Sequence, residues 1–268
     1  MNKTSVHGYA EDVTLSDDQP LLLLLDFDGT VCIGDGPVWA YAEAVLAELA
    51  EGDTSHETDA AAIREQLGAF LDGRVSGDYI DGYAAVAQMT GAHVSADTLQ
   101  RAYRASRRAL AEGTLDVHAP AGLADLLEDL SPRVERVLVT NAPIDGVAET
   151  LEAIGLTEHI DRIVSDARKP GSWTTLLPEL RAGRDPQHCM AVGDIWANDL
   201  AGPHAAGCAT ALIDRFGTRA GTPDVSAPVF EELFDSIRSW AGSHESSPTV
   251  PAHVGATDDV PAPHPTEH

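Results

Sequence analysis

The sequence predicts an α/β fold: a parallel sheet with helices on both faces, interrupted just after its first strand by a helical insertion. Three observations predict it. Short, continuous apolar runs recur at Leu21–Leu25, 136–140 and Cys189–Gly193. Each strand candidate after residue 130 is followed by a stretch of helical character. Residues 37–112 carry helix after helix with no clear strand. Strands alternating with helices imply a parallel sheet. A run that is apolar at every position suits a strand buried on both faces.

Taken in order, residues 1–19 are polar and acidic and read as a loose leader. The five leucines at 21–25 make the first strand. Pro37 then occupies a first helical turn, and Trp39, Ala42, Leu46 and Leu49 form one apolar stripe. Further helices are expected at about 58–72, 78–89 and 96–112. The chain returns at 117–122. Residues 136–140 (RVLVT) make a second strand, followed by a helix over 144–154 that Gly155 closes. A weaker strand at 162–165 precedes a helix at 172–180. CMAVG is the next strong strand, followed by a helix over 197–206 closed by Gly207. A weaker strand at 210–213 and a helix at 229–240 complete the pattern. The expected division is a flexible leader at 1–19, a core at 20–33 and 118–241, a helical domain at 34–117, and a disordered tail at 242–268. The tail has almost no large apolar side chains with which to offset ordering entropy. Its His244, His253, His264 and His268 read as solvated.

Composition narrows the functional classes. A chain of 268 residues with 43% hydrophobic content can bury a sizeable core plus a smaller inserted domain. The formal net charge is −26, from 43 acids against 17 bases. Such a field repels nucleic acid and anionic membrane, so neither is an expected partner. It repels phosphate esters too, so an enzyme acting on them needs a local cation. The three cysteines, Cys32, Cys189 and Cys208, are odd in number, far apart and without metal-ligand spacing, which fits a reducing cytoplasm. No segment approaches the ~20 apolar residues of a membrane span, and Leu21–Leu25 is too short for a signal core.

Four clusters carry chemistry. Asp26-Phe27-Asp28-Gly29-Thr30 follows the first strand directly. Two carboxylates therefore sit at a strand's carboxyl end, where open parallel sheets bind ligands. Held together they repel one another, and a hard divalent ion with oxygen ligands relieves that; magnesium fits because it takes few protein ligands plus phosphate. Alone, the segment also reads as a DG turn and helix cap. Gly193-Asp194-Ile195-Trp196-Ala197-Asn198-Asp199 follows CMAVG in the same way. Asp194 and Asp199 can both reach an ion above the first strand, and either Asp194 or Asn198 can equally cap a helix. Thr140 and Asn141 end the second strand, where a hydroxyl, an amide and free N–H groups make a phosphate cradle or a plain cap. Lys169 is one of only two lysines, the other being Lys3, against fifteen arginines. A compact ammonium suits phosphate as a point charge.

In this order and spacing, Asp26–Thr30, Thr140, Lys169 and Asp194 through Asp199 resemble the four motifs of the haloacid dehalogenase superfamily over about residues 20–240. The resemblance implies a doubly wound, Rossmann-like α/β core, and it makes residues 34–117 a helical cap of the first type. It implies a magnesium-dependent phosphatase. Asp26 is then the nucleophile, and Asp28 the general acid and base. Thr140, Asn141 and Lys169 hold phosphate. Asp26, the Asp28 backbone carbonyl and Asp194 bind Mg2+, with Asp199 bound directly or through water. Dehalogenases lack the second acid, whereas Asp28 is present. Phosphonate-cleaving relatives need a cap lysine, and residues 34–117 contain none. A phosphomutase keeps the same core acids and stays open, as does a binding-only relative.

Substrate choice then falls to the cap. Arg101, Arg104, Arg107 and Arg108 cluster on one helix, and Arg101, Arg104 and Arg108 share a face. They read as a docking patch for a second anionic group, or as a solvated face. Arg74, Asp78, Tyr79, Tyr83 and Trp196 are further candidates to touch the substrate. Cys32 reads as a small packing residue. The expected partner is a small phosphate ester such as a sugar phosphate, a phosphorylated organic acid or a nucleotide.

Overall fold

A computed structural model describes residues 19–52, 57–75, 79–144 and 146–244. The expected leader, apart from residue 19, and the expected tail beyond His244 lie outside the described residues, as does Asp78. Six strands form one sheet in the order β3-β2-β1-β4-β5-β6. They are β1 (Leu21–Leu25), β2 (Val134–Val139), β3 (Arg162–Val164), β4 (Cys189–Gly193), β5 (Ala209–Ile213) and β6 (Val225–Ala227). Every pairing is parallel, with Leu21 opposite Val134 and Leu22 opposite Cys189. The order reverses between β1 and β4, which is the place where doubly wound sheets open a crevice for ligands.

The five leucines of β1 explain the layering. Leu21, Leu23 and Leu25 pack with Leu123, Leu126 and Leu127 of α5 (Leu123–Leu130) and with Ile237 of α9 (Phe234–Ser243). Leu22 and Leu24 point the other way, onto Trp173 and Leu177 of α7 (Trp173–Arg181). Period-two alternation thus feeds two cores, one on each face of the sheet. The faces are completed by α6 (Val147–Ala153) and α8 (Ala201–Ala205).

Between β1 and α5 lie α1 (Gly36–Gly52), α2 (Glu57–Leu71), α3 (Gly82–Thr90) and α4 (Ala96–Ala111). They share their own apolar cluster of Tyr41, Val45, Leu67, Phe70, Val86 and Ala102. The loop after β5 fastens this layer to the sheet. Phe216 stacks on Phe70 with ring centroids 4.3 Å apart. Arg215 donates to both carboxylate oxygens of Asp35, at 2.7 and 2.9 Å, and to the Leu71 carbonyl at 3.0 Å.

The structure differs from the sequence expectations at five elements. The helix expected from about 78 begins at Gly82, where Asp81 caps it by accepting from the Ala84 N–H at 2.6 Å. Helix α5 and strand β6 are additional: α5 carries leucines at 123, 126, 127 and 130, and β6 is only three half-exposed residues. The helix expected over 197–206 starts with a wide π-turn at Trp196–Leu200 before α8. The final helix opens with a 3-10 turn at Phe230–Leu233. Among the described residues no helix is long and apolar enough to cross a membrane.

Candidate active site

The carboxyl ends of β1, β2 and β4 converge on one cavity of about 800 Å3 between the sheet and the helical layer. Asp26, Asp28, Thr140, Asn141, Lys169, Asp194 and Asp199 all line it. The backbone sets them there. The Asp26 N–H continues the ladder of β1 by donating to the Val192 carbonyl of β4 at 3.0 Å. The Thr140 N–H continues β2 by donating to the Val164 carbonyl at 2.9 Å.

Two glycines allow the acids to crowd together. Gly29 has φ +79°, and a Cβ there would meet Asp194 Oδ2 at 2.3 Å. A Cβ on Gly193 would meet the Asp199 Cβ at 2.4 Å. At both points a side chain would displace a site carboxylate.

Lys169 ties the acids together. Its ammonium donates to Asp26 Oδ1 and to Asp199 Oδ1, both at 2.7 Å, with the lysine side chain 2% exposed. Burial opposes the charged ammonium, but Asp26 and Asp199 outweigh it and raise its pKa. Asp199 has its other oxygen on the Ile195 N–H at 3.0 Å. The π-turn makes that possible, since it swings residue 199 back over the end of β4. Burial first, then the charge of Asp26, pushes the Asp199 carboxyl up to about 7, against the pull of Lys169. Asn141 holds the lysine's backbone from both sides. Its amide donates to the Lys169 carbonyl at 2.9 Å and its oxygen accepts from the Lys169 N–H at 2.6 Å. The Asn141 side chain thus positions Lys169 instead of facing the cavity as a free donor. Thr140 Oγ1 accepts from the Ala142 N–H at 3.0 Å and is buried.

Asp194 is the least satisfied group. Its Oδ1 is buried without a hydrogen-bond partner. Burial, and then the charges of Asp26 and Asp199, hold its carboxyl far above the ordinary range. Asp26, Asp194 and Asp199 each offer an oxygen within 4.8 Å of the others. An oxygen-only donor set with an orphaned carboxylate fits a hard divalent cation.

The sequence pattern did not single out the partner of Asp28. Arg107 of α4 donates to Asp28 Oδ1 at 2.7 Å; the arginine side chain is 4% exposed and the aspartate side chain 33%. Burial raises the Asp28 carboxyl above its ordinary value, Arg107 pulls it back, and Asp26 adds to the rise. Arg107 lies on the same helical stripe as Ala96, Gln100 and Tyr103, which line the cavity. That spacing was the available signal.

The structure separates the remaining candidates. Arg101, Arg104 and Arg108 are exposed and outside the cavity lining, and Arg101 pairs with Glu48 at 2.6 Å. The docking-patch reading is therefore corrected: that face looks into solvent. Arg74 is exposed and pairs with Asp72. Tyr83 lines the cavity. Tyr79 instead packs edge-on against Phe70, with ring centroids 5.2 Å apart. Trp196 packs near His204, 5.4 Å between centroids, and does not line the cavity either. Cys32 is buried, and burial together with Asp28 pushes its thiol up to about 12, so it stays protonated.

The family model of haloacid dehalogenase-like hydrolases matches residues 21–207. Among solved structures, the chain is similar to a magnesium-bound HAD-hydrolase from Bacillus subtilis, at 22% identity over 82% of this chain and 100% of that one, TM-score 0.51. It is similar to a HAD phosphatase from Thermococcus onnurineus at 21% identity, over 82% and 98% of the two chains, TM-score 0.51. A haloacid dehalogenase-like protein from Agrobacterium tumefaciens is 18% identical over 83% and 100%, TM-score 0.54. These identities establish likeness of fold. No curated protein matches the chain.

Proposed function

The chain belongs to the haloacid dehalogenase-like hydrolases, and from that premise we propose that it is a magnesium-dependent phosphomonoesterase acting on a small phosphorylated metabolite. The observation that carries the reading is the pair Asp26 and Asp28, both lining one cavity, the first held by Lys169 and the second by Arg107. A dehalogenase of this superfamily needs only the first acid; cleavage of a phosphate ester needs a proton donor as well. The Thermococcus relative is described as a phosphatase and the Bacillus relative as bound to magnesium, which agrees with the reading.

In the first step the Asp26 carboxylate attacks phosphorus, a P–O bond forms to Asp26, and the ester P–O bond breaks. Asp28, whose carboxyl is raised by burial, delivers its proton to the departing alkoxide, which leaves as the alcohol. In the second step Asp28 takes a proton from water as the water oxygen attacks phosphorus, releasing phosphate and restoring the Asp26 carboxylate. Lys169 sits against Asp26, where its charge offsets that of the transferring group. Thr140 lines the same end of the cavity. Magnesium, held by Asp26, the Asp28 carbonyl and Asp194, would neutralise charge on the acids and the phosphoryl oxygens. Asp199, with its oxygens on Lys169 and Ile195, would lie in the surrounding shell.

The test is product analysis. Purified chain with magnesium should release phosphate from an aryl phosphate, and Asp26→Asn should lower the rate at least about 10³-fold while leaving the fold intact. Release of chloride from a 2-chloro acid with no phosphatase activity would refute the reading.

A further inference from the structure

The phosphate end of the cavity accounts for only part of it. The rest is walled by Val38 and Tyr41 of α1, Leu99 and Tyr103 of α4, and Ile213 and Phe216 around the end of β5. The aromatic groups are fixed by one another. The Tyr83 ring lies 5.2 Å from that of Tyr41 and 5.7 Å from that of Tyr103, and Phe216 is stacked on Phe70. Rings braced on one another in this way have little freedom to lose on binding.

The lysine and arginine that line it are already paired. Arg215 is held by Asp35 and the Leu71 carbonyl, and Lys169 by Asp26 and Asp199. Arg107, outside the lining, gives Nη1 to Asp28, while its Nε and Nη2 are buried without a partner. Arg101, Arg104 and Arg108 look into solvent. The acids Asp35, Asp81 and Glu231 also line the cavity. A second anionic group on the substrate would meet these acids, and among the described residues both Lys169 and Arg215 of the lining are already paired. A polyol would lose its hydration against Val38, Leu99 and Phe216, leaving hydroxyls without partners. Gln100, His118 and Asn198 offer polar contact at single points, which suits one hydroxyl or carbonyl.

We propose that the substrate is the phosphate monoester of an uncharged, largely apolar alcohol, aromatic or alkyl, whose leaving group fills the space between α1, α4 and the end of β5. The proposal rests on the phosphatase reading and narrows it, away from sugar phosphates and phosphorylated organic acids.

The experiment uses the full chain with magnesium and four sets of esters. They are n-alkyl phosphates from methyl to hexyl together with phenyl and naphthyl phosphate, a hexose phosphate, phosphoglycolate, and phosphocholine. If each methylene is withdrawn from water into the wall, kcat/KM should rise about fourfold per carbon along the alkyl series. Naphthyl should exceed phenyl, and the sugar, carboxylate and ammonium esters should fall about tenfold or more below hexyl phosphate. Leu99→Asn should reduce the increment per carbon. A flat alkyl series, an unaltered increment in Leu99→Asn, or a polar ester that outperforms hexyl phosphate would overturn the proposal. Binding of n-alkyl phosphonates, which cannot be hydrolysed at the ester position, is measured in parallel by calorimetry. If no ester is turned over but phosphonate affinity still rises with chain length, the hydrolytic reading fails and the apolar site stands. If esters are turned over and both series are flat, the apolar site fails alone.

Discussion

Removing Arg107 should destabilise the protein through Asp28, and the size of the loss follows from the geometry. Arg107 Nη1 is 2.7 Å from Asp28 Oδ1, with the arginine side chain 4% and the aspartate side chain 33% exposed. Deleting one partner of a buried ion pair typically costs about 3–5 kcal/mol. Water reaching Asp28 through the cavity screens the stranded carboxylate, which lowers the expected loss for Arg107→Met to about 1–3 kcal/mol. The contact of Arg107 with the Phe27 ring, 5.7 Å to the centroid, is kept in part by the methionine sulfur. The assay is urea unfolding of four proteins in EDTA: wild type, Arg107→Met, Asp28→Asn and the double variant. If the pair acts as argued, the double variant should be more stable than the sum of the single losses predicts, with a coupling of about 1–3 kcal/mol. The sign with pH is also fixed. The folded Asp28 pKa is raised above 3.8, so its ionisation costs stability as pH rises through that window. Arg107 offsets part of that cost. The coupling should therefore be full above the raised value and fade as pH falls below it. A coupling within about 0.5 kcal/mol of zero at neutral pH would refute the reasoning.

Three further outcomes are expected. Asp28→Asn should slow turnover about 10²–10⁴-fold on an alkyl phosphate and less on a nitrophenyl phosphate, whose leaving group needs little protonation; equal losses in steady-state rates would argue against an acid role. EDTA should abolish phosphate release, magnesium should restore it, and calcium should restore it poorly, because looser calcium coordination lets both Asp26 oxygens bind the ion; full activity in metal-free buffer would contradict this. Asp161 takes three hydrogen bonds from Arg136, which lower its pKa below 3.8. Its contribution is present above 3.8 and is lost as pH falls through the lowered value, so Asp161→Asn should cost about 1 kcal/mol at pH 7, discounted for its 39% exposure, and nothing in strong acid by chemical denaturation.

How much of this was legible in the sequence depended on whether the signal was local. β1 and β4 coincide with their apolar runs because strands buried on both faces leave no polar position to confuse the pattern. The acids that follow them were legible for the same reason: a strand end fixes where the next two residues go. Helix α5 was legible in principle, since Leu123, Leu126, Leu127 and Leu130 have helical spacing. β6 was not, because three residues with partial burial carry no periodicity. The hold of Asn141 on Lys169 spans 28 residues of sequence and depends on how two loops meet. Arg107 shows a subtler limit. A charge cluster draws attention to the face with the most charges, yet the helix turned one arginine inward onto Asp28 and left three outside.

The balance of charge within the site bears on its chemistry. Asp26, Asp28, Asp194 and Asp199 line one cavity, and among the described residues the cations bonded to them are Lys169 and Arg107. Four carboxylates against two cations leave an excess of two negative charges if all are ionised. The protein on its own can relieve this only by protonation, and the raised pKa values of Asp28, Asp194 and Asp199 are that tendency. A dianionic phosphate could not enter such a site against both the local excess and the −26 of the whole chain. One divalent cation beside Asp194 would match the excess and favour the ionised forms of Asp26, Asp194 and Asp199. Asp28 stands apart from the other three. Its partner is Arg107, on the helical layer, whereas Asp26 and Asp199 are held by Lys169. In the proposed mechanism the proton-exchanging acid and the transferring phosphoryl group would therefore answer to different cations, Arg107 and Lys169.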